Sequence, residues 1–303
     1  MAKTLIHIGY HKTASTWLQH ELFDKEEYGF KRFFSKKEIR EDLITVNSLV
    51  FNAQVIKDKD QKLTASSNLV SVLSNERLSG NPHSGGYDSK EIAQRLKASF
   101  PDAKILIVIR EQESAIASSY LQYVKFGGAC SLKDYLEPPH RGGPILPLFD
   151  FEFFNYYNLV KEYTELFGKD NVLILPFELF KEKPQDFCQK IFDFTENGIK
   201  PELDFNKVSN KRLSFLMSNF ARAFNMLFVK SVLNPAAIGT PWLSQNLIKI
   251  FIGIDRLIPG FIKSPFDKIL KRYIKGKVES RYKEGNTKLS ELIDINLKEF
   301  GYN

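Results

Sequence analysis

Short apolar runs recur along the first two-thirds of the chain, and stretches with helical spacing separate them. The runs are 5–8 (LIHI), 68–73 (NLVSVL), 104–109 (KILIVI) and 171–175 (NVLIL). A strand covered on both faces needs apolar residues at successive positions, whereas a half-exposed strand needs them only at alternate ones. Between the runs lie helical patterns. One begins at Ser15 or Thr16 and carries Trp17, Leu18, Leu22 and Phe23. Others cover 88–100, closed by Pro101, 112–126, stopped by Gly127 and Gly128, 151–167, ended by Gly168, and 179–194. Strands alternating with helices predict an α/β fold with a central, mostly parallel sheet flanked by helices. In such sheets ligands bind beyond the carboxyl ends of the strands. Three polar segments fall at such ends: 9–16, 74–77 and 110–118.

The chain has 303 residues, enough for one large core, and a formal charge of +7. Its ordinary globular composition excludes disordered, collagen-like and coiled-coil classes. The only cysteines are Cys130 and Cys188, and the five histidines do not cluster at ligand spacing, so neither a disulfide scaffold nor a metal site is expected. The apolar run at the N-terminus is too short for a signal peptide, so a cytoplasmic location is expected. We expect one domain over 1–303, with residues 213–280 forming a helical annex inside it that could act as a lid or an acceptor platform. Within the annex, 232–277 is apolar, basic and punctuated by Pro and Gly. Lys249, Asp255, Arg256 and Pro259 interrupt its most apolar stretch and argue against a spanning helix. The segment reads as an amphipathic annex packed on the sheet, with peripheral membrane contact as the alternative.

Residues 9–16 (GYHKTAST) join a buried strand to a helix. Such a loop aims backbone N–H groups and the positive end of a helix dipole at one spot, which suits a phosphate. Lys12 adds a point charge, and Ser15 and Thr16 add hydroxyls. The nucleotide-triphosphatase pattern G-x-x-x-x-G-K-[ST] is absent, because Lys12 follows Gly9 by three residues with no glycine directly before it. On residues alone, a plain βα turn with a chance lysine remains the other reading. Arg110, at the end of a strand, and Ser118, eight residues on, can share a second phosphate. Their alternative is an ion pair of Arg110 with Glu111 or Glu113 beside a packed serine.

IHIGYHKTASTWLQ resembles the 5′-phosphosulfate loop of sulfotransferases that use 3′-phosphoadenosine 5′-phosphosulfate (PAPS), commonly H-I-G-x-x-K-T-G-T-T-x-L-Q. Ala14 stands where that pattern has glycine, and Ser15 where threonine is common. ILIVIREQESAIASSY (105–120) resembles the same family's 3′-phosphate segment, with Arg110 and Ser118 as its Arg–Ser pair. The segments 72–78 (VLSNERL), 171–179 (NVLILPFEL) and 281–302 resemble further family elements, closest to the bacterial and carbohydrate-type members. The resemblance implies a sulfotransferase fold and transfer of a sulfuryl group from PAPS, as co-substrate and without a metal, to an acceptor hydroxyl or, less readily, an amine. It places Gly9, Lys12, Thr13, Ala14, Ser15 and Thr16 around the 5′-phosphate and Arg110 and Ser118 around the 3′-phosphate, with Lys12 at the bridging oxygen. Glu76 is the expected general base, and His11 is the second candidate.

The remaining motifs read less sharply. His83 and His140 read as solvated loop residues, Tyr156 and Tyr157 as core, and Lys211 and Arg212 as a basic turn. The acceptor, whether a glycan, a glycolipid or a small-molecule alcohol, is open, as is the oligomeric state. A nucleotide-dependent kinase and a non-catalytic anion-binding protein are the competing functions. Nucleic acid is not an expected partner, since no reader motif is present.

Overall fold

The computed structural model describes residues 4–65, 67–138, 148–199, 202–205, 213–229 and 241–302. The loop at 140–147, with His140, lies outside them, as do Lys211, Arg212 and residues 230–240 of the annex.

Five parallel strands form one sheet: β1 (Thr4–His7), β2 (Phe30–Lys31), β3 (Val70–Ser74), β4 (Lys104–Ile109) and β5 (Val172–Pro176), in the order β2-β3-β1-β4-β5. The central strand β1 pairs Ile6 with Leu73 on one side and with Ile105 on the other. The apolar runs are continuous because each strand feeds two cores. Ile105, Ile107 and Ile109 enter one cluster, together with Ile6, Ile92, Leu96, Ile116 and Val160. Leu106 and Val108 enter the opposite one, with Leu5, Val72, Leu18 and Phe187. Successive side chains of a strand point to opposite faces, so covering both faces requires this pattern.

The helices that cover the sheet follow the sequence expectation with local corrections. The first is α1 (Ser15–Trp17), which continues as a wider turn over Leu18–Phe23. Then come α2 (Ala53–Thr64), α3 (Ser89–Ser99), α4 (Gln112–Lys125) and α5 (Tyr156–Phe167). The expected single helix over 179–194 is two, α6 (Phe177–Glu182) and α7 (Pro184–Thr195), because Pro184 has no N–H to continue a helix and instead opens the next one. The annex supplies α8 (Phe215–Phe228), α9 (Pro241–Leu257) and α10 (Gly260–Val278), and α11 (Lys283–Ile293) follows it. Both α8 and α10 pack against α4, so the annex lies on a helix that carries part of the site.

Candidate functional site

β1, β3 and β4 are neighbours, so their carboxyl ends bring together the three polar segments picked out by the sequence. The ladder outlasts β1. Ile8 N–H donates to Leu106 O and Tyr10 N–H to Val108 O, each at 3.0 Å, while Asn75 N–H donates to His7 O at 3.2 Å. The 9–16 loop therefore leaves the sheet directly beside the end of β4. Gly9 is needed there for space, since a Cβ would lie 2.6 Å from Nε2 of the fully buried His7. Tyr10 then anchors the loop from below, its ring packed on Phe153 at 5.0 Å and Tyr156 at 4.5 Å.

The loop turns back through two left-handed residues, Lys12 (φ 69°) and Ala14 (φ 62°). Ala14, and not Ser15 or Thr16, is the N-cap of α1, and its carbonyl accepts from Leu18 N–H at 3.0 Å. Alanine thus holds the backbone conformation for which glycine is the unstrained choice. Thr13 is buried, and its hydroxyl donates to Tyr10 O at 2.5 Å, so its side chain closes the loop and leaves its backbone N–H as the group available to a ligand. Ser15 Oγ and His11 Nδ1 are buried and have no hydrogen-bond partner among the described residues. Buried polar atoms are seldom left unpaired, so two in one loop mark a place prepared for a polar guest.

Arg110 and Ser118 come together as the sequence predicts. Arg110 Nη1 donates to Ser118 Oγ at 3.1 Å and to Lys12 O at 3.2 Å, which ties the Arg110–Ser118 pair to the 9–16 loop. The guanidinium lies 5.3 Å over the Phe177 ring, and Tyr156 O–H donates to Arg110 O at 2.6 Å, fixing the strand end. Glu111 is the cap of α4 and accepts from Glu113 N–H at 2.6 Å and Ser114 N–H at 2.9 Å. Glu76 opens a short turn after β3, with Ser79 Oγ donating to its carbonyl at 2.8 Å. Its neighbour Arg77 pairs with Asp88 at 2.6 Å, so the Glu76 carboxylate is not spent on Arg77.

Charge around the loop is one-sided. Burial lowers the Lys12 pKa, the nearby Lys125 and Arg110 lower it further, and Glu76 works against them. Burial also pushes the His11 imidazole down to about 3, with His83, Arg77 and Lys12 adding to the effect. His7 falls to about 3 by burial. Its Nδ1 lies 2.8 Å from Ser74 Oγ, which also accepts from Gln19 Nε2 at 3.1 Å. Since Gln19 donates to Ser74, the serine proton is free to go to Nδ1, which leaves the His7 proton on Nε2. The ring beneath the loop is thus neutral.

His83 departs from its expected solvated state. Its Nδ1 is 2.9 Å from Tyr135 OH, its ring meets those of Tyr123 and Tyr135, and burial, followed by Arg77, lowers its pKa to about 4. Sequence reading also passed over Lys125. It follows Ser118 by seven residues, two helical turns along the same face of α4, and that spacing is the signal that could have found it. Tyr156 is core as expected, with the added task of holding the Arg110 carbonyl. Among the described residues no group of three His, Cys, Asp or Glu side chains converges as a metal site would require.

Comparison with known proteins gives three results. No curated protein matches this chain. Among solved structures it resembles a sulfotransferase from Alicyclobacillus acidocaldarius, with 18% identity, 75% of this chain and 93% of that one covered, and a TM-score of 0.43. The sulfotransferase domain matches residues 3–221, a span that takes in all five strands and the loop, Glu76 and Arg110 regions. The chain belongs to the sulfotransferase family.

Proposed function

We propose that this protein moves a sulfuryl group from PAPS to a hydroxyl of a carbohydrate, glycolipid or small-molecule acceptor. The observation that carries the reading is the link between two anion stations. Arg110 reaches Ser118 with the same guanidinium nitrogen that holds the Lys12 carbonyl. A ligand with phosphates at both ends of a nucleoside engages both stations, whereas a 5′-monophosphate engages one. The buried, unpartnered Ser15 Oγ and His11 Nδ1 fit a ligand rich in acceptor oxygens. The donor, when bound, supplies an activated sulfuryl group with a phosphate as its leaving group.

The protein's part is positioning and electrostatics. The N–H groups of residues 12–16 cradle the 5′-phosphate, and the Lys12 ammonium faces the oxygen that gains charge as the sulfur–oxygen bond breaks. Glu76 accepts the proton of the acceptor hydroxyl as that oxygen bonds to sulfur. With its conjugate acid near 3, His11 stays neutral around pH 7 and serves as a hydrogen-bonding group instead of the base.

Thermal shift with 3′,5′-adenosine bisphosphate, AMP, and ATP with Mg²⁺ tests the reading. The bisphosphate should stabilise the protein most, and Arg110→Ala with Ser118→Ala should remove its advantage over AMP. A preference for ATP with Mg²⁺, or a double variant that still favours the bisphosphate, refutes the assignment.

A further inference from the structure

The annex presents an outer surface that the sulfuryl-transfer reading does not use. On α9, Ile250, Ile254 and Leu257 follow one another at spacings of four and three, and all are exposed. Phe261 and Ile269, two turns apart on α10, are exposed as well. Leu257 and Phe261 flank the turn between the helices and are 83% and 78% exposed, values at which a large apolar side chain gains nothing from the fold. The opposite face of α10, with Leu270, Ile274 and Val278, is buried in the main core. Each helix therefore has an apolar inner stripe, which the fold explains, and an apolar outer one, which it does not.

Charge on this hairpin is sorted in the same way. Residues 248–278 carry eight Lys and Arg against two Asp, in a chain whose whole formal charge is +7. Both aspartates turn inward. Asp255 accepts from Ser214 Oγ at 2.5 Å and Ser214 N–H at 3.1 Å, and Asp267 accepts from Phe215 N–H at 2.9 Å, so the two hold the start of α8. Lys263 donates to Asp255 O, and Lys277 pairs with Glu137. Lys249, Arg256, Lys268, Lys271, Arg272 and Lys275 are exposed around the apolar stripes.

We propose that the outer face of the α9–α10 hairpin docks the protein on an anionic lipid bilayer, with Leu257 and Phe261 entering the acyl boundary and the surrounding cations meeting the head groups. No helix among the described residues is long and apolar enough to cross a membrane, so the contact is peripheral. Charge selects this occupant. A second copy would bring the same excess of cations onto an already cationic face, whereas an anionic bilayer neutralises it and covers the apolar side chains in one step.

The test is flotation of the full chain with vesicles of phosphatidylcholine alone and with about a third phosphatidylglycerol. Binding should require the anionic lipid and weaken as salt rises. Leu257→Ser with Phe261→Ser should abolish it. Each of Lys268→Ser, Lys271→Ser and Arg272→Ser should weaken it roughly five-fold. These side chains are exposed, so a thermal melt like that of the parent protein confirms that the variants are folded. Equal recovery with both vesicle types, or apolar variants that float like the parent, overturns the proposal. So does light scattering that finds a dimer broken by Leu257→Ser with Phe261→Ser, which would give the face to a second copy.

Discussion

His7 sits under the 9–16 loop with its imidazole fully buried, and burial holds its pKa at about 3. In the unfolded chain the same group titrates near the ordinary value of 6.5. The folded pKa is depressed, so the folded state binds fewer protons than the unfolded state between those two values. The stability that depends on a neutral His7 is therefore complete above about pH 6.5 and drains away as pH falls towards about 3. Over the one and a half units from the free value down to about pH 5, the loss from this group is about 2 kcal/mol, at roughly 1.4 kcal/mol per unit. The assay is urea unfolding at about pH 7 and about pH 5, with His7→Asn as the comparison, because the asparagine carbonyl can still accept from Ser74 O–H. The substitution will cost some stability at both pH values. Its distinguishing effect is on the difference between them, which should shrink by about 2 kcal/mol because every other titrating group is shared by the two proteins. If parent and variant lose the same stability on acidification, the imidazole is not held neutral beneath the loop and the account of its burial is wrong.

The other expectations concern the loop and the chemistry. Lys12→Ala should lower turnover with PAPS by two orders of magnitude or more, as when a transition-state charge partner is removed, and a variant near parental activity in a labelled-sulfate assay would refute the role. Glu76→Gln should slow transfer by about a hundred-fold while leaving bisphosphate affinity unchanged; a rate equal to the parent's would move the base role to another group. Ala14→Gly should leave the melting temperature unchanged or slightly higher, since relief of about 1 kcal/mol of left-handed strain is offset by the greater freedom of glycine in the unfolded chain. Ala14→Val should destabilise clearly, because a branched Cβ fits that conformation worse still; equal melting of the valine and alanine proteins would show that the turn relaxes out of the positive-φ region.

The sheet was legible because its strands are covered twice. KILIVI matches β4 residue for residue, since every position after Lys104 is buried. β2 escaped notice because two residues, Phe30 and Lys31, carry no period. α2 escaped because Ile56 is its only buried residue, so its pattern is that of a solvated surface. In the site, Lys12, Arg110 and Ser118 stand out through residue type and spacing within local segments. The unread part is what distant segments do to one another. His83 became a half-buried ring because Tyr123 and Tyr135, forty or more positions later, pack against it. Thr13 turned its hydroxyl inward because the backbone at Lys12 and Ala14 folds back on Tyr10, a conformation that residue types alone do not announce.

The two concentrations of positive charge differ in kind, and the difference follows from what lies beneath each. Burial keeps His7, beneath the loop, and His11, within it, neutral, so Lys12, Arg110, Arg77 and Lys125 supply the cationic charge there. Burial lowers the Lys12 pKa first, and Lys125 and Arg110 crowd it further down, with Glu76 opposing them. A compact anion with several charges relieves all of them at once, which favours a small, highly charged ligand over an extended one. On the annex the cations are spread along two helices and interleaved with exposed Ile, Leu and Phe, while the aspartates are withdrawn to cap α8. No single small anion neutralises charges spaced over several helical turns, and none covers the apolar side chains between them. Only a partner that is both extended and apolar beneath an anionic surface satisfies that face. The positive charge thus divides into a crowded cluster at the loop, suited to the proposed donor, and a spread one on the annex, suited to the proposed bilayer contact, and α4, which carries Ser118 and packs against α8 and α10, joins the two.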